Sequence, residues 1–237
     1  MTDVFAAALP PRVPVAGGGT FPVHRIYCVG RNYAEHAAEM GFDARESPFF
    51  FMKPADAVVP VADGAVGTIP YPPLTQDLQH EVELVVAIGE GARGGARAVE
   101  GDAAAALIFG HAIGLDMTRR DLQAAAKKAG RPWSIAKGFD ASAPIGPLHP
   151  IGATGELTRG AITLEVNGQP RQRGDLADLI WSVRETIAWL SRAWALQPGD
   201  LIYTGTPAGV GPVVAGDRMR AAIAGLGELL VDVGPPA

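Results

Sequence analysis

Three acidic residues, Glu81, Glu83 and Asp116, are the side chains of this sequence best suited to hold a divalent metal ion. Glu81 and Glu83 are two positions apart in an apolar segment, so both side chains project from one face of a β-strand. Two carboxylates this close repel each other unless a cation lies between them, and Mg²⁺, Mn²⁺ and Ca²⁺ prefer oxygen ligands. Asp116 ends another predicted strand and can supply a third ligand. Because Glu-x-Glu is a common pattern, spacing alone leaves open a solvated strand face with an unrelated Asp.

His36 and Glu39 form a second candidate group, since residues three apart share one face of a helix. A carboxylate that orients an imidazole makes a general base able to deprotonate water near neutral pH. A surface histidine beside a helical glutamate with no function is the open alternative. Lys53 and Lys137 each follow an apolar segment, where a lysine either reaches into a pocket to meet an anion or faces solvent.

The glycine-rich segment 204–211 has the composition of a phosphate-binding loop. It lacks the Lys-Ser/Thr ending of a P-loop, and no clear helix follows it, so nucleotide binding is not expected. Its backbone amides and threonine hydroxyls can instead hold a carboxylate.

Composition limits the classes of protein to which this chain can belong. The 237 residues are 48% hydrophobic and 19% charged, as in an ordinary globular protein, and the net charge of −5 provides no basic surface for nucleic acid. The single cysteine, Cys28, lies in an apolar segment and fits a reducing compartment. We identify no signal peptide and no apolar run of ~20 residues. These features predict a cytoplasmic protein that does not enter membranes.

The elements that must position the candidate residues follow from hydrophobic periodicity and turn signals. Residues 1–23, rich in Pro, Gly and Ala, are predicted to form an N-terminal arm, and residues 24–237 a single catalytic domain. Many short strands with few helices indicate an α+β fold dominated by β-structure. Strands are predicted at 26–29, 49–52, 81–88, 112–116, 162–166, 201–203 and 229–233. Helices are predicted at 33–40, 100–109, 120–129 and 180–195. The dipeptide Asn167-Gly168 indicates a tight β-hairpin.

Taken together, these motifs resemble the fumarylacetoacetate hydrolase family over roughly residues 24–234. The matching segments are Gly30-Arg31-Asn32-Tyr33 with His36 and Glu39, Phe51-Met52-Lys53-Pro54, His80-Glu81-Val82-Glu83-Leu84, Gly114-Leu115-Asp116-Met117-Thr118, Ala136-Lys137 and Thr204-Gly205-Thr206-Pro207. The resemblance implies a mixed β-roll, similar to a β-sandwich, and a homodimer. It also implies Mg²⁺, with Mn²⁺ or Ca²⁺ as possible substitutes, held by the three carboxylates.

The resemblance also implies roles for individual side chains. The water-activating pair matches His36 and Glu39, on a helix that closes over the substrate, and the active-site lysine matches Lys137. Substrate contacts match Gln123 and Thr206, while Arg31 and Lys53 belong to matching motifs. The implied reaction is hydrolytic cleavage of a carbon–carbon bond in a small 2,4-dioxo acid. The metal binds the 2-oxo acid end, and Lys137 stabilises the enolate that forms.

Within the family, the segments 21–30, 49–56 and 116–121 look most like those of the bacterial fumarylpyruvate hydrolases of gentisate breakdown, a route of aromatic catabolism. Their substrate carries a second carboxylate and needs a further cation, for which Arg119 and Arg120 are candidates, with plain helix-surface charges as the open alternative. A broad acylpyruvate hydrolase and an oxaloacetate decarboxylase are alternatives on the same scaffold. A dioxo-acid isomerase and a non-catalytic metal-binding scaffold are further alternatives, less compatible with the intact His36–Glu39 pair and Lys137.

Overall fold

The structure is a computed structural model that describes residues 4–6, 8–33 and 46–236. Its strands are β1 Arg12–Pro14, β2 Thr20–Pro22, β3 Ile26–Gly30, β4 Phe49–Lys53, β5 Val58–Pro60, β6 Val66–Tyr71, β7 Leu78–His80, β8 Val82–Ile88, β9 Ile108–Leu115, β10 Thr118–Arg119, β11 Ala143–Ile145, β12 His149–Pro150, β13 Ala161–Val166, β14 Gln169–Asp175, β15 Leu201–Tyr203, β16 Gly211–Val213, β17 Arg218–Ile223 and β18 Gly227–Pro236. Its α-helices are α1 Gly101–Ala105, α2 Arg120–Lys128, α3 Ser134–Lys137, α4 Ile151–Thr154 and α5 Val183–Ala193. Short 3₁₀ turns occupy Ala55–Ala57, Glu90–Ala92 and Leu176–Asp178.

Two large mixed sheets form the body of the molecule. The first has the strand order β4-β3-β15-β8-β9-β11-β5, with β12 also paired to β9, and the second has the order β14-β13-β17-β18-β6. Strands β10, β7 and β16 form a small third sheet, and β1 pairs with β2. This arrangement confirms the predicted α+β fold with mixed sheets and few helices.

The central strand β8 is buried on both faces, which explains why all its residues except Glu83 are apolar. Its even-numbered residues Val82, Leu84 and Val86 belong to the main core, together with side chains of β13, β17 and β18 from the second sheet. Its odd-numbered residues Val85 and Ala87 pack on the opposite face in a second apolar cluster. Strand β8 thus positions Glu83 on the same face as Val85 and Ala87, which is otherwise apolar.

The predicted helix at 100–109 is wrong in its second half. Helix α1 ends at Ala105, and Ile108 already pairs with Ile88 in the first sheet. Adjacent strands bury an apolar segment on two sides, and this tertiary pairing overrides the helical propensity of the preceding alanines. The predicted helix at 180–195 is shorter than expected, because Ser182 and Glu185 form a capping box that starts α5 at Val183.

Two other predictions concern the chain's turns and its N-terminal part. Asn167 and Gly168 both have positive φ, as a two-residue hairpin between β13 and β14 requires. Within the predicted N-terminal arm, residues 12–22 form the β1–β2 hairpin, whose Val13 and Phe21 are buried against the first sheet. The division into an arm and one catalytic domain at residue 24 stays a prediction. Among the described residues, no helix is long and apolar enough to cross a membrane.

Buried His111 in β9 is expected to make the protein acid-sensitive. Burial lowers the pKa of His111 to about 4, although Glu156 acts in the opposite direction. The folded protein therefore keeps the imidazole neutral while the unfolded chain takes up a proton below pH 6.5, so stability falls as pH drops from about 6.5 to 4. We expect His111 to account for about 3 kcal/mol of that loss.

Urea unfolding of wild type and His111→Gln at several pH values between 7 and 4 measures this contribution. The difference between the two unfolding free energies should shrink in the acid range, because glutamine does not titrate. Parallel pH profiles would contradict the assignment of this acid sensitivity to His111.

Candidate metal centre

Strand pairing brings the three predicted carboxylates together. In the antiparallel pair β8–β9, Val82 lies opposite Leu115 and Glu83 opposite Gly114, and the Asp116 amide donates a hydrogen bond to the Glu81 carbonyl oxygen at 2.9 Å. Asp116 therefore leaves the end of β9 beside both glutamates. One carboxylate oxygen of each residue lies within 4.8 Å of the other two. This is the spacing of a shared ion rather than of three independent surface acids.

Burial excludes the alternative of a solvated strand face. Glu81 is 7% exposed, Glu83 1% and Asp116 0%. Removing an ionised carboxylate from water is costly unless a cation or hydrogen-bond donors replace the water. The surrounding charges therefore determine what this cluster can bind.

Two buried lysines contact the two carboxylate oxygens of Asp116. Lys137, at the end of α3, donates hydrogen bonds to Glu81 Oε2 at 2.8 Å and to Asp116 Oδ2 at 2.7 Å. Lys53, at the end of β4, has its Nζ 2.8 Å from Asp116 Oδ1 and donates to the carbonyl oxygens of Met117 and Lys137. Burial acts to lower the pKa of Lys137, but Asp116 and Glu81 outweigh it and raise that pKa. Lys137 is therefore a charged ammonium group at the floor of the site.

Arg120, the first residue of α2, neutralises Glu81. Its Nη2 donates to Glu81 Oε1 at 2.5 Å, and its Nη1 donates to Gln123 Oε1 at 2.6 Å. Burial acts to raise the pKa of Glu81, but Lys137 and Arg120 lower it far below its usual range. Arg120 is thus tied to a candidate metal ligand and to a side chain of the same helix.

Glu83 differs from the other two acids because it forms no ion pair with any residue that the structure describes. Its Oε2 accepts one hydrogen bond, from the Gly205 amide at 2.8 Å. Burial, together with repulsion from Asp116 and Glu81, raises its pKa well above the usual range. A divalent cation among the three acids would supply the positive counter-charge that Glu83 lacks. Because all the available donor atoms are oxygens, the cluster suits a hard ion such as Mg²⁺ or Mn²⁺. The residues present fit such an ion.

The loop after β15 supports Glu83 through its backbone. Gly205 adopts a φ of 103°, and a Cβ atom there would lie 2.7 Å from the Asn32 side chain, so only glycine fits. The Thr206 hydroxyl donates to the Val82 carbonyl oxygen at 2.8 Å and accepts a hydrogen bond from Gln172 Nε2 at 2.8 Å. The loop was predicted to hold a carboxylate, and in the structure it holds that of Glu83.

A cleft of about 330 Å³ opens above the carboxylates. Its apolar wall consists of Phe49, Phe51 and Trp133. The ring centroid of Trp133 lies 5.3 Å from that of Phe49 and 5.8 Å from that of Phe51. Its polar lining comprises Arg31, Gln79, Glu81, Glu83, Arg120, Gln123, Lys127, Lys137 and Thr206. A larger depression of about 960 Å³ lies around the β1–β2 hairpin, and none of the three acids lines it. The smaller cleft is the candidate site.

The structure places the predicted substrate-contacting residues unevenly. Arg31, Gln123, Thr206 and Arg120 line the cleft. Lys53 lies behind Asp116, where it positions that side chain. The Arg119 guanidinium is directed away from the cleft, since it donates to the Ile135 carbonyl oxygen at 3.2 Å and lies 4.3 Å from the Phe139 ring centroid.

His36 and Glu39 lie outside the described residues, so their role stays a prediction. The helix predicted at 33–40 also falls almost wholly outside these residues. The sequence-based analysis missed Gln79, Lys127 and the aromatic wall. The helical spacing of Arg120, Gln123 and Lys127 was a signal that could have indicated Lys127.

A family model described as fumarylacetoacetate (FAA) hydrolase C-terminal matches residues 25–234. The crystal structure of fumarylpyruvate hydrolase from Pseudomonas aeruginosa, in complex with Mn²⁺ and pyruvate, superimposes with a TM-score of 0.94. That protein is 53% identical in sequence, and the match covers 99% of this chain and 100% of the other.

Two curated relatives carry different activities in their names. A fumarylpyruvate hydrolase of Ralstonia sp is 47% identical over 190 residues, which is 80% of this chain and 94% of the relative. An oxaloacetate tautomerase of Arabidopsis thaliana is 41% identical over 209 residues, 88% of this chain and 90% of the relative.

Proposed function

The chain belongs to the fumarylacetoacetate hydrolase family, and we propose that it hydrolyses a carbon–carbon bond of a 2,4-dioxo acid, with fumarylpyruvate as its substrate. Fumarate and pyruvate would be the products. The observation that carries this proposal is the buried cluster of Glu81, Glu83 and Asp116 beneath a cleft with an aromatic wall. The identity of 53% and 47% to fumarylpyruvate hydrolases from Pseudomonas aeruginosa and Ralstonia sp supports this choice of substrate.

Glu81, Glu83 and Asp116 would hold the metal, for which we propose Mg²⁺ with Mn²⁺ as a substitute. The bound ion supplies a Lewis acid for the 2-oxo acid end of the substrate. The fully oxygen-based donor set supports either ion, and the Pseudomonas relative contains Mn²⁺ together with pyruvate. Lys53 and Arg120 act on this site indirectly, because each one orients a carboxylate.

Lys137 is the residue that would stabilise the charge developing in the reaction. Its ammonium group lies between Glu81 and Asp116 and borders the cleft, so an anionic oxygen bound there meets a preorganised positive charge. Preorganised donors of this kind contribute about 3 kcal/mol to catalysis in other enzymes. We propose that His36, oriented by Glu39, takes the proton from the attacking water.

Oxaloacetate tautomerisation is the second candidate, because the Arabidopsis relative carries that name at 41% identity. Keto–enol exchange moves a proton between carbon and oxygen of a 2-oxo acid and needs no attacking water. The same carboxylate cluster and Lys137 serve either reaction. The two functions therefore differ in their dependence on His36 and on the length of the substrate.

We expect metal-dependent hydrolysis of fumarylpyruvate by the purified protein. The absorbance of fumarylpyruvate should decay in the presence of Mg²⁺. The decay should stop on addition of EDTA and resume when excess Mn²⁺ is added. Acetylpyruvate and oxaloacetate are assayed in parallel, the latter for both decarboxylation and enol–keto exchange. Turnover of acetylpyruvate as fast as fumarylpyruvate would indicate a broad acylpyruvate hydrolase. Exchange of oxaloacetate without hydrolysis of any acylpyruvate would overturn the proposal in favour of a tautomerase.

Three further properties stay predictions based on the resemblance. They are the homodimer, the cytoplasmic location and a place in gentisate breakdown. Size-exclusion chromatography coupled to light scattering measures the first of them directly.

A further inference from the structure

The outer part of the cleft contains positive charges that the carboxylate cluster does not neutralise. Residues 120, 123, 124 and 127 all line it, and this spacing defines a single face of helix α2. Arg120, at the inner end of the face, is paired with Glu81. Lys127, at the outer end, forms neither a hydrogen bond nor an ion pair with the residues that the structure describes. On this face, Arg120 is therefore neutralised by Glu81, whereas Lys127 has no counter-charge among the described residues.

Among the described residues, the charges that act on Lys127 are positive. Partial burial acts first to lower its pKa, and the charges of Arg31 and Arg120 lower it further. Lys127 is the cation of this helix face whose charge no described carboxylate offsets, and an anion bound at this end of the cleft would offset it. Lys128, the next residue on α2, does not line the cleft.

Helix geometry sets the distance between the two ends of this face. Seven residues of α-helix advance about 10 Å, over about two turns, so the backbone of Lys127 lies about 10 Å along α2 from that of Arg120, which holds Glu81 of the carboxylate cluster. An anion that binds at both ends must carry its two negative groups at opposite ends of an extended chain. A short dicarboxylate such as oxaloacetate cannot span the distance.

We propose that Lys127 determines substrate specificity by binding the distal carboxylate of a long, extended 2-oxo dicarboxylate whose other end lies at the Glu81–Glu83–Asp116 cluster. This inference rests on the proposed function, and it assigns to Lys127 the role that the sequence suggested for Arg119 or Arg120. Arg119 is turned away from the cleft, and Arg120 is already bound to Glu81. Phe49 and Trp133 would then contact the carbon chain between the two ends.

Lys127→Met tests the inference, with Lys128→Met as the matched control that removes the same charge from the same helix. We expect Lys127→Met to raise KM for fumarylpyruvate about tenfold, as loss of one charge-assisted contact at a cleft mouth predicts. Its kcat/KM for acetylpyruvate and for oxaloacetate should stay within about twofold of wild type, because neither reaches the helix end. Lys127→Arg should restore most of the affinity, and Lys128→Met should change none of these constants.

A binding measurement separates this inference from the proposed function. Wild type loaded with Mn²⁺ is titrated in a calorimeter with 2-oxopimelate and with 2-oxoheptanoate, which have equal chain lengths and no 4-oxo group to hydrolyse. We expect wild type to prefer the dicarboxylate and Lys127→Met to lose that preference. If this holds but no acylpyruvate is hydrolysed, the inference stands and the proposed function fails. Equal losses for both ligands, an equal effect of Lys128→Met, or no effect of Lys127→Met would overturn the inference.

Discussion

Replacing Glu83 with glutamine is expected to weaken Mn²⁺ and Mg²⁺ binding by about 100-fold or more and to abolish metal-dependent turnover. Among the residues that the structure describes, Glu83 is the one of the three acids that contacts no lysine or arginine. A bound metal ion would therefore chiefly neutralise the charge of Glu83. The neutral amide keeps the size of the side chain and can still accept the Gly205 hydrogen bond. Isothermal titration calorimetry with Mn²⁺ measures the loss directly.

The same substitution is expected to leave the metal-free protein as stable as wild type, or more stable. Glu83 is buried beside two other acids, and its removal relieves repulsion without leaving a cation unpaired. Glu81→Gln is the matched control, since it removes the counter-charge of Arg120 and one of the two counter-charges of Lys137, and it should cost about 3 kcal/mol.

Thermal unfolding in EDTA, followed by addition of Mn²⁺, distinguishes the two variants. Wild type should gain stability from the ion, whereas Glu83→Gln should gain almost none. Unchanged Mn²⁺ affinity in Glu83→Gln would contradict the three-carboxylate site. Equal destabilisation of both variants without metal would contradict the assignment of charges.

Replacing His36 with alanine is expected to lower kcat for fumarylpyruvate by about 10³, while Mn²⁺ affinity changes by less than about twofold. The proposed role of His36 is to deprotonate water, a step that general-base catalysis accelerates, and His36 is not among the proposed ligands. Glu39→Gln should give a smaller loss of kcat, because it misorients the imidazole without removing it. Steady-state kinetics and calorimetry on the same preparations provide both quantities.

His149→Ala serves as the control for removal of a histidine, since His149 lies in β12 and does not line the cleft. Equal losses of Mn²⁺ affinity and hydrolysis in His36→Ala would identify His36 as a ligand or a structural residue. Unchanged hydrolysis would remove it from the reaction. Loss of hydrolysis with oxaloacetate exchange preserved would show that the water-activating pair separates the two candidate activities.

Local sequence patterns were sufficient where one short segment determines the outcome. The alternation around Glu81 and Glu83 predicted a strand at 81–88, which the structure confirms from Val82 onward with Glu81 just before it, and Asn167-Gly168 predicted a hairpin. Patterns failed where a distant segment competes. Ile108 follows an alanine-rich helix, and only its pairing with Ile88 makes it the start of β9. Periodicity cannot register a partner that is twenty residues away.

The candidate site shows the same division between local and tertiary information. The sequence by itself determined which residues have the chemistry, namely the oxygen ligands Glu81, Glu83 and Asp116, and the joint motifs identified the family. Only the tertiary structure decided their charge balance. It pairs Glu81 with Lys137 and Arg120, leaves Glu83 with a backbone amide, and leaves Lys127 free of any counter-charge that the described chain supplies. Burial and Coulombic contact depend on distances in space, which spacing along the chain does not encode.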